Sequence, residues 1–254
     1  MRLSLSYYLA LAMLTVIPPT VQDDDFEGLS DLIGPLQTET DPHNQWDKLL
    51  QKHVSHSGDV NYAAFKGDIE LLQDYLAALS KTAPPENASK DEKLVFYINL
   101  YNAATVKLIL DHYPVNSIKD IKNPWDKNWI SVGDKLTSLG AIEHKILRKL
   151  NDPRIHFAIN CASYSCPKLQ NRAFVRRELE IQLNEATTAF VNDRTKNQIS
   201  SSSVEISQIF KWYKSDFTKS GKLLDFINQY SDIPVNPDVK VQFTNYDWSL
   251  NEAK

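Results

Sequence analysis

Glycine is scarce in this chain, with seven in 254 residues. No phosphate-binding glycine loop, dinucleotide fingerprint or serine-hydrolase elbow occurs, and such backbone loops are hard to build from so few glycines. No cofactor is therefore expected. Cysteine is scarcer still: Cys161 and Cys166 are the only two. Any thiol chemistry is confined to the segment RIHFAINCASYSCPKL, Arg154 to Leu169, and with no cysteine before Cys161 a lipoprotein-type acyl anchor is excluded. Charge of either sign is not in large excess, 28 Lys and Arg against 32 Asp and Glu. This balance gives no electrostatic case for nucleic acid or anionic lipid as a partner. Beyond the amino terminus, no stretch is long and apolar enough to span a bilayer.

The apolar run that is present lies at the start. Arg2 precedes Leu3 to Ile17, which is ended by Pro18 and Pro19, the pattern of an export signal. The small-x-small match, Ala10 and Ala12, falls inside the apolar run, so residues 1–22 read as a signal peptide or an uncleaved N-terminal anchor, the sole route to a membrane. Residues 23–45 are acidic, proline-bearing and without periodicity, a flexible leader. The remainder, 46–251, is long enough for one domain with a single core. An exported protein, periplasmic or extracellular, is the expectation.

Trp46, Leu49, Leu50 and Val54 recur at helical spacing, as do Ile69, Leu72, Leu76 and Leu79. His53 and His56, three apart, lack a further ligand at metal-motif spacing. The strongest local signal is a third helix. Ser89 and Glu92 form a capping box, and the apolar run from Leu94 to Tyr113 stops before Pro114. Apolar residues cover nearly its whole circumference, which places it at the centre of the domain. On it Asn99, Asn102 and Thr105 form one polar stripe. Since an unsatisfied buried polar group costs about 1–3 kcal/mol, the stripe either ties the helix to loop backbone or, with Asn160, lines a cleft.

Farther on, Trp129 to Val132 reads as a short extended piece. Ser138 caps a helix in which Ile142, Ile146 and Leu150 face the core, with His144 and Arg148 sharing another face that suits an anion, a carboxylate or plain solvent. Asp152-Pro153 makes a turn, and Ile155 to Asn160 then alternates as a strand. In that register Cys161 points away from His156 unless the strand ends at Asn160, and the residues from Ala162 to Pro167 suggest a turn there.

Several fates are open to the cysteines. In an exported protein a Cys161-Cys166 disulfide closing this short loop contributes about 2 kcal/mol. Alternatively Cys161 or Cys166 is a nucleophile activated by His144 or His156, since attack needs a thiolate beside a base. A third fate is zinc held by His144, His156, Cys161 and Cys166, at spacings that match no standard motif; a fourth is a pair of inert, buried thiols. In the carboxyl-terminal third, Ala173 to Val191 and Leu223 to Tyr230 read as helices, and Ser207 or Gln208 opens another through Phe217. Val204 to Ser207 and Val239 to Phe243 read as strands. The aromatics Phe210, Trp212, Tyr213, Phe217, Tyr246 and Trp248 suit core and rim packing or a carbohydrate- or peptide-binding platform.

Five segments together carry a resemblance: DEKLVFYINLYNA (Asp91 to Ala103), AIEHKILRK (Ala141 to Lys149), HFAINCASYSCPKL (His156 to Leu169), IFKWYKSDF (Ile209 to Phe217) and YDWSLN (Tyr246 to Asn251). In this order they resemble the family catalogued as domain of unknown function 547, across about Trp46 to Asn251. The resemblance implies no established activity. Plant members are similar around the first cysteine but carry serine near the second, which implies that neither a disulfide nor a two-thiol metal site is the family's shared purpose. In outline, a central helix followed by a strand opening with His is also similar to transglutaminase-like and papain-like enzymes. There a cysteine at the helix start is the nucleophile and the strand histidine its base. Here the helix offers Asn99 and Asn102 but no cysteine, which implies a binding role.

The expected fold is α+β: a helix-rich single domain with a central buried helix and a small, mainly antiparallel sheet. The expected function is an exported module binding an unknown ligand or protein through a Cys161-Cys166 stapled loop. The alternatives are a cysteine- and histidine-dependent hydrolase or acyl transferase, and a small zinc site.

Overall fold

The computed structural model describes residues 41–253. The segment 1–22 and the leader up to residue 40 lie outside the described residues. Residues 41–45, assigned to the leader from their polarity, belong to the folded body. His43 is buried with its Nδ1 2.7 Å from the Tyr75 hydroxyl, and α1 (Asn44–His53) follows directly. Then come α2 (Tyr62–Phe65), α3 (Ile69–Lys81) and α4 (Lys90–His112).

Helix α4 is built as its sequence dictates. Ser89 Oγ accepts from the Glu92 amide and the Glu92 carboxylate accepts from the Ser89 amide, closing the capping box. At the other end Tyr113, before Pro114, takes an extended conformation. From Leu94 to Leu110 all but one residue, the half-buried Tyr97, is buried, because α2, α3 and the helical turns near residue 145 pack around it. A helix apolar on every side has no solvent face to offer.

The hairpin β1 (Ile130–Val132) and β2 (Lys135–Thr137) is antiparallel, with Gly133 at φ +57° in its turn. Ser138 caps α5 (Leu139–Ala141) by accepting from the Ala141 amide. The expected single helix then widens into a π turn over Ile142–Ile146 and tightens into a 3₁₀ turn over Leu147–Leu150. Ile142 and Leu147 are buried, whereas Ile146 and Leu150 are half-buried. Widening of this kind re-aims side chains, here those of Glu143 and His144.

The strand expected over Ile155 to Asn160 is absent. Ile155–Ala158 is a short helix, α6, because Asp152-Pro153 starts a helical turn: the Asp152 carboxylate accepts from the Arg154 amide and its carbonyl from the Ile155 amide. The chain is extended only from Ile159. It turns after Asn160, whose side-chain oxygen accepts from the Ala162 amide, with Ala162 held at φ +59°.

A 3₁₀ turn at Arg176–Glu178 precedes α7 (Leu179–Val191). The helix starts later than Ala173 because the amides of residues 173, 174 and 175 are taken by Asp47, Asn99 and Gln182 side chains. Strands β3 (Gln198–Ile199) and β4 (Val204–Ile206) follow, then α8 (Gln208–Trp212), α9 (Lys214–Phe217), α10 (Leu223–Asn228) and β5 (Val241–Phe243). Antiparallel pairing joins β3 to β4, and parallel pairing joins β4 to β5. The architecture is thus a helix-rich α+β fold.

Its apolar interior is organised in two clusters. One surrounds α4; the other gathers Phe157, Phe190, Phe210, Phe217 and Phe226 beside the three-stranded sheet. Helix α6 joins them, with Ile155 and Ala158 in the first and Phe157 in the second. His156 stands between these anchors. No helix among the described residues is long and apolar enough to cross a membrane.

Candidate functional site

Buried polar groups show where the fold has been satisfied and where it has not. On α4, Asn99 donates to the Phe174 carbonyl and accepts from the Phe174 amide. Asn102 donates to the Ala158 carbonyl and accepts from the Asn160 amide, and Thr105 donates to Tyr101 of its own helix. All three are buried and border neither of the two cavities described below; Asn99 and Asn102 tie the helix to loop backbone. Asn160 is engaged likewise, through the Pro167 carbonyl and the Ala162 amide, and borders a separate hollow of about 260 Å³ on Ser163 and Lys196.

The cleft lies beside α6, at about 360 Å³, a size suited to small-molecule sites. His144, His156, Cys161 and Cys166 all border it, so the four candidates do share one site. Glu143, Asp126, Tyr101, Tyr213, Tyr246 and three tryptophans, Trp125, Trp212 and Trp248, complete most of its wall. Phe210 and Phe217, in contrast, are core residues.

Each wall residue has a local cause. Trp125 is fixed because its carbonyl accepts from Gly140 at 2.8 Å; a Cβ at residue 140 would stand 3.0 Å from that oxygen, which favours glycine there. The cysteine loop is laced to residues 246–250: the Ser165 amide donates to the Asp247 carbonyl, the Asp247 amide to Ser165 Oγ, and the Tyr164 amide to the Ser249 carbonyl. That lacing sets Tyr246 and Trp248 beside the sulfurs. Trp212, at the end of α8, packs on both, with ring centroids 4.8 Å from Tyr246 and 5.7 Å from Trp248.

Cys161 and Cys166 stand at disulfide-bonding distance, with Cα atoms 6.3 Å apart. The Tyr246 hydroxyl donates to Cys166 Sγ at 3.2 Å and lies 3.4 Å from Cys161 Sγ. Burial, above all, raises the Tyr246 phenol well above its ordinary range, so it is a neutral donor.

His156 is almost wholly enclosed. It stacks on Tyr213 at 3.9 Å and places Nε2 2.8 Å from Asp216 Oδ2. Arg148 donates to both oxygens of the same carboxylate, at 2.6 and 3.1 Å. The His156 and Arg148 hydrogen bonds hold Asp216 well below the usual carboxylate range. Burial lowers the His156 imidazole against the opposing pull of Asp216 and Glu143. Facing a carboxylate, Nε2 is the ring's donor. His144 is half-exposed and 3.3 Å from an Arg148 nitrogen. The pairing of Arg148 with His144 seen in the sequence is real, yet Arg148's main partner is Asp216.

Among the described residues, no three or more His, Cys, Asp or Glu side chains converge to hold a metal ion. The zinc set fails on this geometry: the sulfurs face each other and His156 Nε2 faces Asp216. His53 is likewise engaged with Asp68, and His56 with Asn171. The likeness to transglutaminase-like enzymes rested on a strand at His156, and this segment is α6.

Sequence reasoning missed Glu143, Asp216 and Trp125 as parts of one site, and it named Trp212, Tyr213, Tyr246 and Trp248 for packing or a binding platform without joining them to the cysteines. Glu143 sat one position from a named candidate, but Asp216 is 60 residues from His156 and gave no local signal.

Fold and site together define a helix-rich α+β domain with an aromatic-walled cleft beside a cysteine pair. Residues 85–191 match the family model described as "Protein of unknown function, DUF547", so this stretch of the chain is similar to that family. It holds α4, Glu143, both cysteines and His156, and ends before α8, Tyr246 and Trp248. Neither the curated proteins nor the solved structures contain a match to the chain.

Proposed function

We propose that the protein is an exported, periplasmic or extracellular, ligand-binding module whose ligand sits in the aromatic cleft beside a Cys161-Cys166 disulfide. The observation that carries this reading is the convergence of three tryptophans from separate segments on one cavity, where Trp125 and Trp248 pack against the α4 cluster on one side and border the cleft on the other. Aromatic walls with a few convergent polar groups are how small-molecule sites are built. Export is supported by the apolar run Leu3 to Ile17 and by the cysteine spacing, since structural disulfides persist in oxidising compartments. The bridge braces the loop that places Cys161, Cys166 and Pro167 on the cleft wall.

A second reading, a cysteine- and histidine-dependent hydrolase or acyl transferase, is favoured by one observation: His144, His156 and both cysteines border the same cavity. It requires a free thiolate. One experiment separates the two: intact mass of protein purified without reductant, after brief native alkylation and again after denaturation. The binding reading expects no label in either condition and two thiols after reduction. Rapid labelling of one cysteine in the folded state overturns it in favour of thiol chemistry.

A further inference from the structure

The aromatic cleft contains one charged group that the fold leaves incompletely partnered. Glu143 is 5 % exposed. Its Oε2 accepts from the Tyr101 hydroxyl at 3.3 Å, while Oε1 is buried with no hydrogen-bond partner among the described residues. The Tyr213 hydroxyl also approaches this carboxylate without bonding Oε1, and the nearby bases do not supply a donor. Arg148 places two donors on Asp216, and His144 Nδ1 stops 3.9 Å from Oε1, beyond hydrogen-bond reach. A carboxylate taken out of water without a matched donor or cation is costly, so this site favours a ligand that brings both.

The rest of the wall selects the same sign of charge. A second carboxylate, Asp126, borders the cleft, and no lysine or arginine does. Trp125, Trp212, Tyr246 and Trp248 form a continuous series of ring contacts between 4.5 and 5.8 Å. The π-faces of such rings attract ammonium groups, tryptophan most strongly. This rim already holds one: Lys119 Nζ lies 4.7 Å from the centre of the Trp248 ring. Low-dielectric walls strengthen the attraction between a carboxylate and a cation.

Resting on the reading of this cleft as a ligand site, we infer that its ligand class is an organic ammonium bearing N–H, bound with nitrogen toward Glu143 and its carbon skeleton against the tryptophan rim. Neutral sugars would also stack on the rim, but they would leave the Glu143 charge uncompensated.

Isothermal titration calorimetry with the disulfide-intact protein tests this, using spermidine as the ammonium probe and hexanediol and maltose as neutral probes. The expected result is binding of spermidine and not of hexanediol. Glu143→Gln should weaken it about tenfold or more, the scale of a charge-assisted hydrogen bond. Trp212→Ala should weaken it roughly two- to fivefold. Circular dichroism and melting check that each variant folds. If Glu143→Gln does not fold, Asp126→Asn replaces it, with a loss of roughly two- to threefold expected from a half-exposed charge. No spermidine binding, or spermidine binding that neither carboxylate variant weakens, overturns the inference. If a neutral probe then binds in a Trp212-dependent way, the cleft remains a ligand site for another class. If no probe binds, the cleft reading falls with it.

Discussion

Two sets of buried polar groups stand a few residues apart in this protein and have opposite character. Along α4, Asn99 and Asn102 each exchange two hydrogen bonds with loop backbone, one donated and one accepted. Around the cleft, Glu143 keeps an oxygen without a partner, and His156, Asp216 and Arg148 bond side chain to side chain across three segments. Neutral amides matched to backbone specify the fold. Charged and titratable groups matched to one another, with one group over, make a surface that responds to ligand and to pH.

The largest effect expected from breaking this contrast is on the structural side. Asn102→Ala strands the Ala158 carbonyl and the Asn160 amide in the interior and should cost about 4 kcal/mol, at about 1–3 kcal/mol for each group, read as a lower urea midpoint. It should leave the pH dependence of stability unchanged, because these amides do not titrate.

Acid should act on the cleft through His156 and, outside the cleft, on His43 beside Tyr75. His156, lowered mainly by burial, and His43, lowered by burial from 6.5 to about 4, both favour the neutral ring in the fold. Unfolded chains therefore bind protons first, so stability is complete above about pH 6.5 and declines as pH falls. His43 alone corresponds to about 3 kcal/mol by pH 4. Asp216, held below its ordinary 3.8, adds a further loss only below about pH 4. Urea unfolding at a series of pH values checks both windows. Asp216→Asn should shrink the lower one, to which Asp152, also held low by Arg154, contributes, and an unchanged acid limb in that variant would show that the ion pair contributes nothing.

Smaller again is the loop. Cys161→Ser should lower stability by about 2 kcal/mol on the chain-entropy estimate and loosen Tyr246, visible as faster amide exchange at residues 246–250. The smallest stability change belongs to Trp212→Ala. This ring is 46 % exposed, so the melting midpoint should scarcely move, by less than about 1 kcal/mol, while ligand binding in the cleft falls.

How much could be read without coordinates differs by element. Helix α4 was legible from end to end because its signals are local: a capping box, an apolar circumference and a following proline. The polar stripe was legible as a stripe, but its partners, at residues 158–160 and 174, were not. The apparent strand at Ile155 to Asn160 shows the limit of periodicity. In a four-residue helix buried on all sides, alternation carries no information, and the decisive signal was Asp152-Pro153 opening a helical turn. A disulfide was one of four fates open to the cysteines, argued from export and close spacing, and the pair stands at disulfide-bonding distance. The site beside it was only half visible: His144, His156, Cys161 and Cys166 were candidates, whereas Asp216, Glu143 and the joint role of Trp125, Trp212 and Trp248 were not.

What the amino-acid sequence determined by itself is what depends on neighbours within a few residues: the central helix and its cap, a helix-rich α+β composition, the lack of glycine-based nucleotide loops and the confinement of thiols to one segment. Only the tertiary structure decided which polar groups were satisfied and which were left facing a cavity. That outcome depends on contacts between residues tens of positions apart, such as His156 with Asp216 and Cys166 with Tyr246. These contacts arise when the two apolar clusters close on either side of α6, and no local pattern encodes the distance between them.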